Sequence, residues 1–154
     1  MDDQLLDTIY RLGAATAVGI GIGLNRDLIG KPLGMRTLGL VGLGAAVVTL
    51  ATIEYHGLAD QPDALSRVVQ GVIQGIMAGI GFIGAGAILR DPQARHIEGL
   101  TTAASVWVTA ALGIACAFAA WRVVAVGVGL ALLLLVVFAW IEVRINGDKE
   151  DQSS

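Results

Sequence analysis

The sequence predicts an all-α fold: a polytopic bundle of about five transmembrane helices, N-terminus outside and C-terminus in the cytoplasm. Three observations predict it. Of 154 residues, 55% are hydrophobic and only 15% charged, with a mean hydropathy of +0.74, whereas soluble domains carry about a quarter charged residues. The apolar residues gather in five stretches near the ~20 residues that a helix needs to cross a bilayer. Lysine and arginine are shared unequally among the links, which sets orientation. The 21 glycines against three prolines suit helices that approach closely in lipid, where small residues form the contacts.

The first stretch, residues 5–24, follows Met1-Asp2-Asp3-Gln4 and includes Asp7. That acidic start lacks the basic region of a cleaved secretory signal, so the segment is expected to be retained. Asp7 and Arg11 are four apart and share a helical face. They read either as a charge pair snorkelling at the outer interface or as a functional pair in which Arg11 faces inward towards an acid such as Glu54. The second stretch, 37–56, is reached through Asn25-Arg26-Asp27-Leu-Ile-Gly30-Lys31-Pro32-Leu-Gly34-Met-Arg36. Positive-inside signalling explains Arg26, Lys31 and Arg36. It does not explain Asp27 or the density of turn residues.

The third stretch, 67–89, carries Gly71, Gly75 and Gly79 at four-residue spacing, followed by Gly81, Gly84 and Gly86. This is a small-xxx-small face for helix packing. Its formal G-x-G-x-x-G at Gly79, Gly81 and Gly84 lacks the strand and βαβ unit of a dinucleotide site. Gln70 and Gln74, also four apart, suit interhelical hydrogen bonds. The fourth stretch, 99–119, follows Arg90-Asp91-Pro-Gln-Ala-Arg95-His96-Ile-Glu98 and brings Thr101, Thr102 and Ser105 into its first turns. Glu98 stands where a helix N-terminus favours an anion. Thr101 and Thr102 suit interhelical hydrogen bonding. Glu98 could instead meet Arg26 or Arg90, or hold a hard cation together with Asp91. Only Ala119-Ala120-Trp121-Arg122 separates this stretch from the fifth, 122–141, so the two form a tight helical hairpin unless the fourth is re-entrant.

Under five crossings, Arg26, Lys31, Arg36, Arg90, Arg95, Arg144 and Lys149 share one face. The other holds Arg67 and Arg122 with Asp2, Asp3, Asp60 and Asp63, hence the predicted orientation. Tyr55 and Trp121 then mark the outer interface and Trp140 the inner one. Residues 1–145 form the membrane domain, and 146–154 a short polar tail expected to be disordered. A net charge of −3 gives no basic field for nucleic acid. The single cysteine, Cys116, excludes an intrachain disulfide and a thiol metal site. His56 and His96 fall on opposite faces and cannot share a metal. No metal, cofactor or catalytic set is expected, nor an inverted-repeat transporter.

Three blocks taken together resemble a known family: Gly23-Leu-Asn-Arg-Asp27 with Lys31-Pro-Leu-Gly-Met-Arg-Thr37, Gly79-Ile-Gly-Phe-Ile-Gly-Ala-Gly-Ala-Ile-Leu-Arg90, and Gly99-Leu-Thr-Thr-Ala-Ala-Ser-Val-Trp107. They resemble the MgtC/SapB family of bacterial inner-membrane proteins, over about Tyr10 to Arg144. The resemblance implies a five-helix membrane domain. For the MgtC branch it implies adaptation to low magnesium and survival inside host cells, including restraint of the ATP synthase. Members are not generally regarded as established magnesium transporters. Asn25 and Asp27 stand where the family usually has glutamates, and the tail is too short for the soluble C-terminal domain of MgtC proper, as in the short branch.

The expected function is therefore that of a non-enzymatic, multi-pass protein of the bacterial inner membrane. It would act in magnesium homeostasis or stress adaptation through contacts with other membrane proteins or with further copies of itself. The charged set Asn25, Arg26, Asp27, Lys31, Arg36, Arg90, Asp91 and Glu98 is the candidate functional cluster. A small channel or carrier with Arg26, Asp27, Arg90 and Glu98 at its cytoplasmic mouth is the alternative. A membrane enzyme built on Asp27, Asp91, His96 and Glu98 ranks last.

Overall fold

The structure is a computed structural model that describes residues 3–55, 62–90 and 97–138. Five helices follow one another: α1 (Asp3–Leu28), α2 (Met35–Ile53), α3 (Pro62–Ala87), α4 (Leu100–Ala117) and α5 (Trp121–Leu133), the last continuing into a single π turn, Leu134–Phe138. The first four are long and apolar enough to cross a membrane, and Trp121–Val137 is a shorter apolar helix. The fold is thus the helical membrane bundle that the apolar stretches predict. Asp2, His56, Asp60, Arg95, His96, Trp140, Arg144 and the tail 146–154 lie outside the described residues.

Each helix boundary has a local cause. α1 runs four residues past the predicted end at residue 24 and stops where Gly30 adopts φ +65°. There Lys31 N donates to Arg26 O (3.0 Å) and Gly30 N to Asp27 O (3.1 Å), the paired bonds of a Schellman C-cap. α3 begins five residues earlier than predicted, because Pro62 suits the first helical position and Asp63 the positive dipole end. Between α3 and α4 a two-residue antiparallel pair, Leu89↔Glu98 and Arg90↔Ile97, closes the connection. It needs Gly99 at φ +89°, where a Cβ would run into the Ala87 carbonyl.

The predicted α4–α5 hairpin is present. Ala120 N donates to Ala115 O (3.0 Å) and Ala119 N to Cys116 O (2.9 Å), again a Schellman pair. Here the left-handed residue is Ala119, at φ +52°, rather than a glycine. With 18 residues, α4 is about 27 Å long, and it is long and apolar enough for a full span.

The core is built by α1, α2 and α4, and glycine makes the approaches. A methyl on Gly19 would collide with the backbone of Leu38 and Gly39. One on Gly42 would meet Ala15 O at 2.6 Å, and one on Gly113 would meet the carbonyl of Gly42. Into the space between go Ile22, Leu38, Ala45, Val106 and Ala110, all buried, with Ala15, Ala46, Leu50 and Cys116 in a second cluster towards the α4–α5 end. Close packing of this kind supplies the dispersion contacts that hold helices together in lipid.

The glycine face of α3 is left largely open within the chain. Of Gly71, Gly75, Gly79, Gly81, Gly84 and Gly86, only Gly84 packs within the chain, its missing Cβ lying 3.5 Å from that of Ala103. The other five have nothing within 4 Å of the place a methyl would take. The intramolecular packing role belongs instead to Gly19, Gly23, Gly42 and Gly113. The spacing of Gly19 and Gly23 is itself a small-xxx-small signal that could have found the first two.

Candidate functional site

The charged set around the α1–α2 link divides into inward and outward members. Because α1 continues through Asn25-Arg26-Asp27, Arg26 falls on the buried face shared by Ala15, Gly19, Ile22 and Gly23. Its side chain is only 3% exposed, and Nη2 donates to the Thr102 hydroxyl on α4. Nε of Arg26 and Oδ1 of Asn25 are buried without a partner among the described residues. A guanidinium placed inside a lipid-embedded bundle, with a hydroxyl as its recorded partner, is costly unless it is further compensated. It ties α1 to α4 at the level of Thr102.

Asp27 turns the other way. Its Oδ2 accepts a hydrogen bond from Met35 N (2.9 Å), the first amide of α2. Gly34 precedes that helix and provides no side-chain cap of its own. The Asp27 carboxylate fills the space that a side chain at position 34 would need. Capping of α2 from across the link therefore accounts for both Asp27 and Gly34, which positive-inside signalling left unexplained. Lys31 and Arg36 are exposed. Arg90 and Glu98 have their backbones in the β pair beside the start of α4, and Asp91 lies outside the described residues. Of the predicted cluster, then, the structure joins Arg26 to Thr102 and Asp27 to Met35.

Thr101 and Thr102 also part company: Thr102 is buried, Thr101 exposed. Deeper in α4, Ser105 donates to Thr101 O (2.8 Å) and Thr109 to Ser105 O (2.7 Å), so their buried hydroxyls are satisfied by their own helix. Among the described residues no group of three or more His, Cys, Asp or Glu side chains could hold a metal ion.

At the opposite end, Asp7 and Arg11 form the predicted pair, at 2.7 Å. Arg11 also donates to Ala117 O at 2.8 Å, satisfying a carbonyl in the last turn of α4. Glu54 is the C-cap residue of α2. Arg11 thus takes its carboxylate from Asp7, not from Glu54. Next to Arg11 on α1, Tyr10 meets Trp121 edge to face, with ring centroids 5.0 Å apart. Together these contacts staple α1 to the α4–α5 turn.

The most unusual surface is that of α3. Gln70, Gly71, Gln74, Gly75 and Gly79 are all exposed on one stripe, and Phe82, one turn further, is 85% exposed. Beside the stripe an open groove of about 500 Å³ runs between α2 and α3, lined by Leu40, Gly44, Val48, Gly75, Gly79 and Ile83 among others.

The chain is similar to several known proteins. A model of the MgtC family matches residues 12–144. SrpB of Synechococcus elongatus is 41% identical over 132 residues, covering 82% of this chain and 71% of SrpB. YhiD of Escherichia coli, described as a proposed magnesium transporter, is 37% identical over 134 residues, covering 86% of this chain and 60% of YhiD. MgtC of Salmonella typhimurium is 35% identical over 118 residues, covering 75% of this chain and 46% of MgtC. No solved structure matches the chain.

Proposed function

The chain belongs to the MgtC family, and on that premise we propose that it is a non-enzymatic, multi-pass protein of the bacterial inner membrane that supports magnesium homeostasis or adaptation to low magnesium by contacting other membrane proteins. The magnesium context is supported by the family and by the description that YhiD carries. Because the chain spans 60% of YhiD and 46% of MgtC, the activity proposed is one that resides in the shared membrane part. The lysine and arginine distribution supports an N-out, C-in orientation.

One observation carries the contact role: the exposed stripe on α3, whose glycines meet nothing among the described residues. Glycines at four-residue spacing let a neighbouring backbone approach closely, and Gln70 and Gln74 offer an amide donor and acceptor at the same surface. Facing hydrocarbon alone, both amides would lose their hydrogen bonds with nothing in return. A transmembrane helix of a partner protein, or α3 of a second copy, would supply them. The ATP synthase, implied by the family resemblance alone, is one partner to look for.

The test is a deletion strain grown at limiting magnesium and complemented with the wild type or with Gly75→Leu. The wild type should restore growth and carry a specific membrane protein through affinity purification, and Gly75→Leu should do neither while reaching the membrane at normal levels. Unchanged growth and membrane potential in the deletion strain would defeat the proposal. So would magnesium flux catalysed by the purified protein alone in proteoliposomes.

A further inference from the structure

A second groove, of about 490 Å³, lies between α1 and α2 at the end that carries the basic link, lined by Thr16 and Ile20 of α1 and by Met35, Arg36, Gly39 and Leu40 of α2. It exists because Gly39 has no side chain: Cγ1 of Ile20 comes within 3.1 Å of where a Cβ would stand. Its walls are apolar, and the one wall hydroxyl, on Thr16, is turned back onto Leu12 O at 2.8 Å. The exception is Arg36 at the rim.

Arg36 is also electrostatically uncommitted. Among the described residues the ion pair within 4 Å is that of Asp7 with Arg11, so no described carboxylate neutralises Arg36. The acid of the same link, Asp27, is held on the Met35 amide. The other cation of the link, Lys31, is exposed, while Arg26 is buried against Thr102. Arg36 therefore brings to the rim of an apolar groove a positive charge that no described carboxylate neutralises.

We infer that this groove is a binding site for an anionic phospholipid, with an acyl chain along Ile20, Gly39 and Leu40 and the headgroup phosphate on Arg36. A guanidinium fork matches two phosphate oxygens, and basic pockets between transmembrane helices near the cytoplasmic interface select anionic headgroups. A zwitterionic lipid would bring its own cation towards Arg36. Entry requires no passage through the core.

Native mass spectrometry of the purified full chain, titrated with phosphatidylglycerol and with phosphatidylcholine, tests the site. The wild type should retain phosphatidylglycerol about fivefold more tightly than phosphatidylcholine, and Arg36→Gln should remove that preference while leaving phosphatidylcholine binding unchanged. Leu40→Trp, at a groove-lining position that is 68% exposed, should obstruct the groove and weaken both lipids. Arg67→Gln, outside the groove, should leave the preference intact. Persistence of the preference in Arg36→Gln, or of full affinity in Leu40→Trp, would overturn the inference. So would displacement of the lipid by equimolar inorganic phosphate, which would make the rim a site for a free anion.

Discussion

Helices α3 and α4 lie side by side and are almost equally apolar, yet 61% of the most apolar window of α4 is buried inside the chain against 6% for α3. Both carry polar side chains that lipid disfavours, and the difference lies in how those groups are satisfied. Ser105 and Thr109 of α4 return their hydroxyls to carbonyls one turn back, which leaves α4 narrow and internally complete. An amide such as Gln70 or Gln74 has more donors and acceptors than one turn of its own helix can serve. Hydropathy therefore decides that a helix enters the membrane, and local polar satisfaction helps decide whether it can form the centre of one chain or must complete itself against something else.

The largest effect that could break this contrast is at Gly113. Leucine there would drive α4 off the Gly42 carbonyl and should cost about 3 kcal/mol or more, read as a fall in thermal or denaturant resistance in detergent. A tolerated Gly113→Leu would mean that α4 is not the packing centre. Next is Thr102→Val, which removes the recorded partner of a buried guanidinium and should destabilise by about 2 kcal/mol. Arg26→Met combined with Thr102→Val should recover most of that loss, since removing both partners of a buried polar pair is often nearly neutral. Additive single effects would show that the two residues are not coupled.

At the far end of α4, Ala119→Gly relieves a left-handed alanine and should gain about 1 kcal/mol in the same assay. The smallest stability effect sharpens the other side of the comparison. Gly75→Leu on α3, with nothing within 4 Å, should change stability by less than about 0.5 kcal/mol while abolishing partner recovery. Loss of stability there would place α3 in the core.

Much of this bundle was legible in the sequence. The five apolar stretches, the hairpin at Ala119-Ala120 and the Asp7–Arg11 pair could be read because each depends on nearby residues: run length, link length, or spacing on one helix. What could not be read depends on which helices meet. Small-residue spacing shows that a face can pack closely but not against what, so the glycines of α3 stood out while Gly42 and Gly113, which touch each other across α2 and α4, did not. Arg26 was misplaced for a related reason. Counted as a link residue, it suits topology signalling; the extra turn of α1, ended by Gly30, rotates it onto the buried face. Asp27 could be flagged as unexplained, but its amide partner eight residues away follows from the course of the link.

The capping of α2 by Asp27 ties two positions into one heritable unit. The carboxylate sits where any side chain at position 34 would have to go, so a mutation that adds a Cβ there evicts the cap, and one that lengthens residue 27 to glutamate must find new room for the extra methylene. Single steps at either position cross a valley that a paired change avoids. Among descendants of this sequence, 27 and 34 should drift together or not at all, whatever selection acts on the rest of the link.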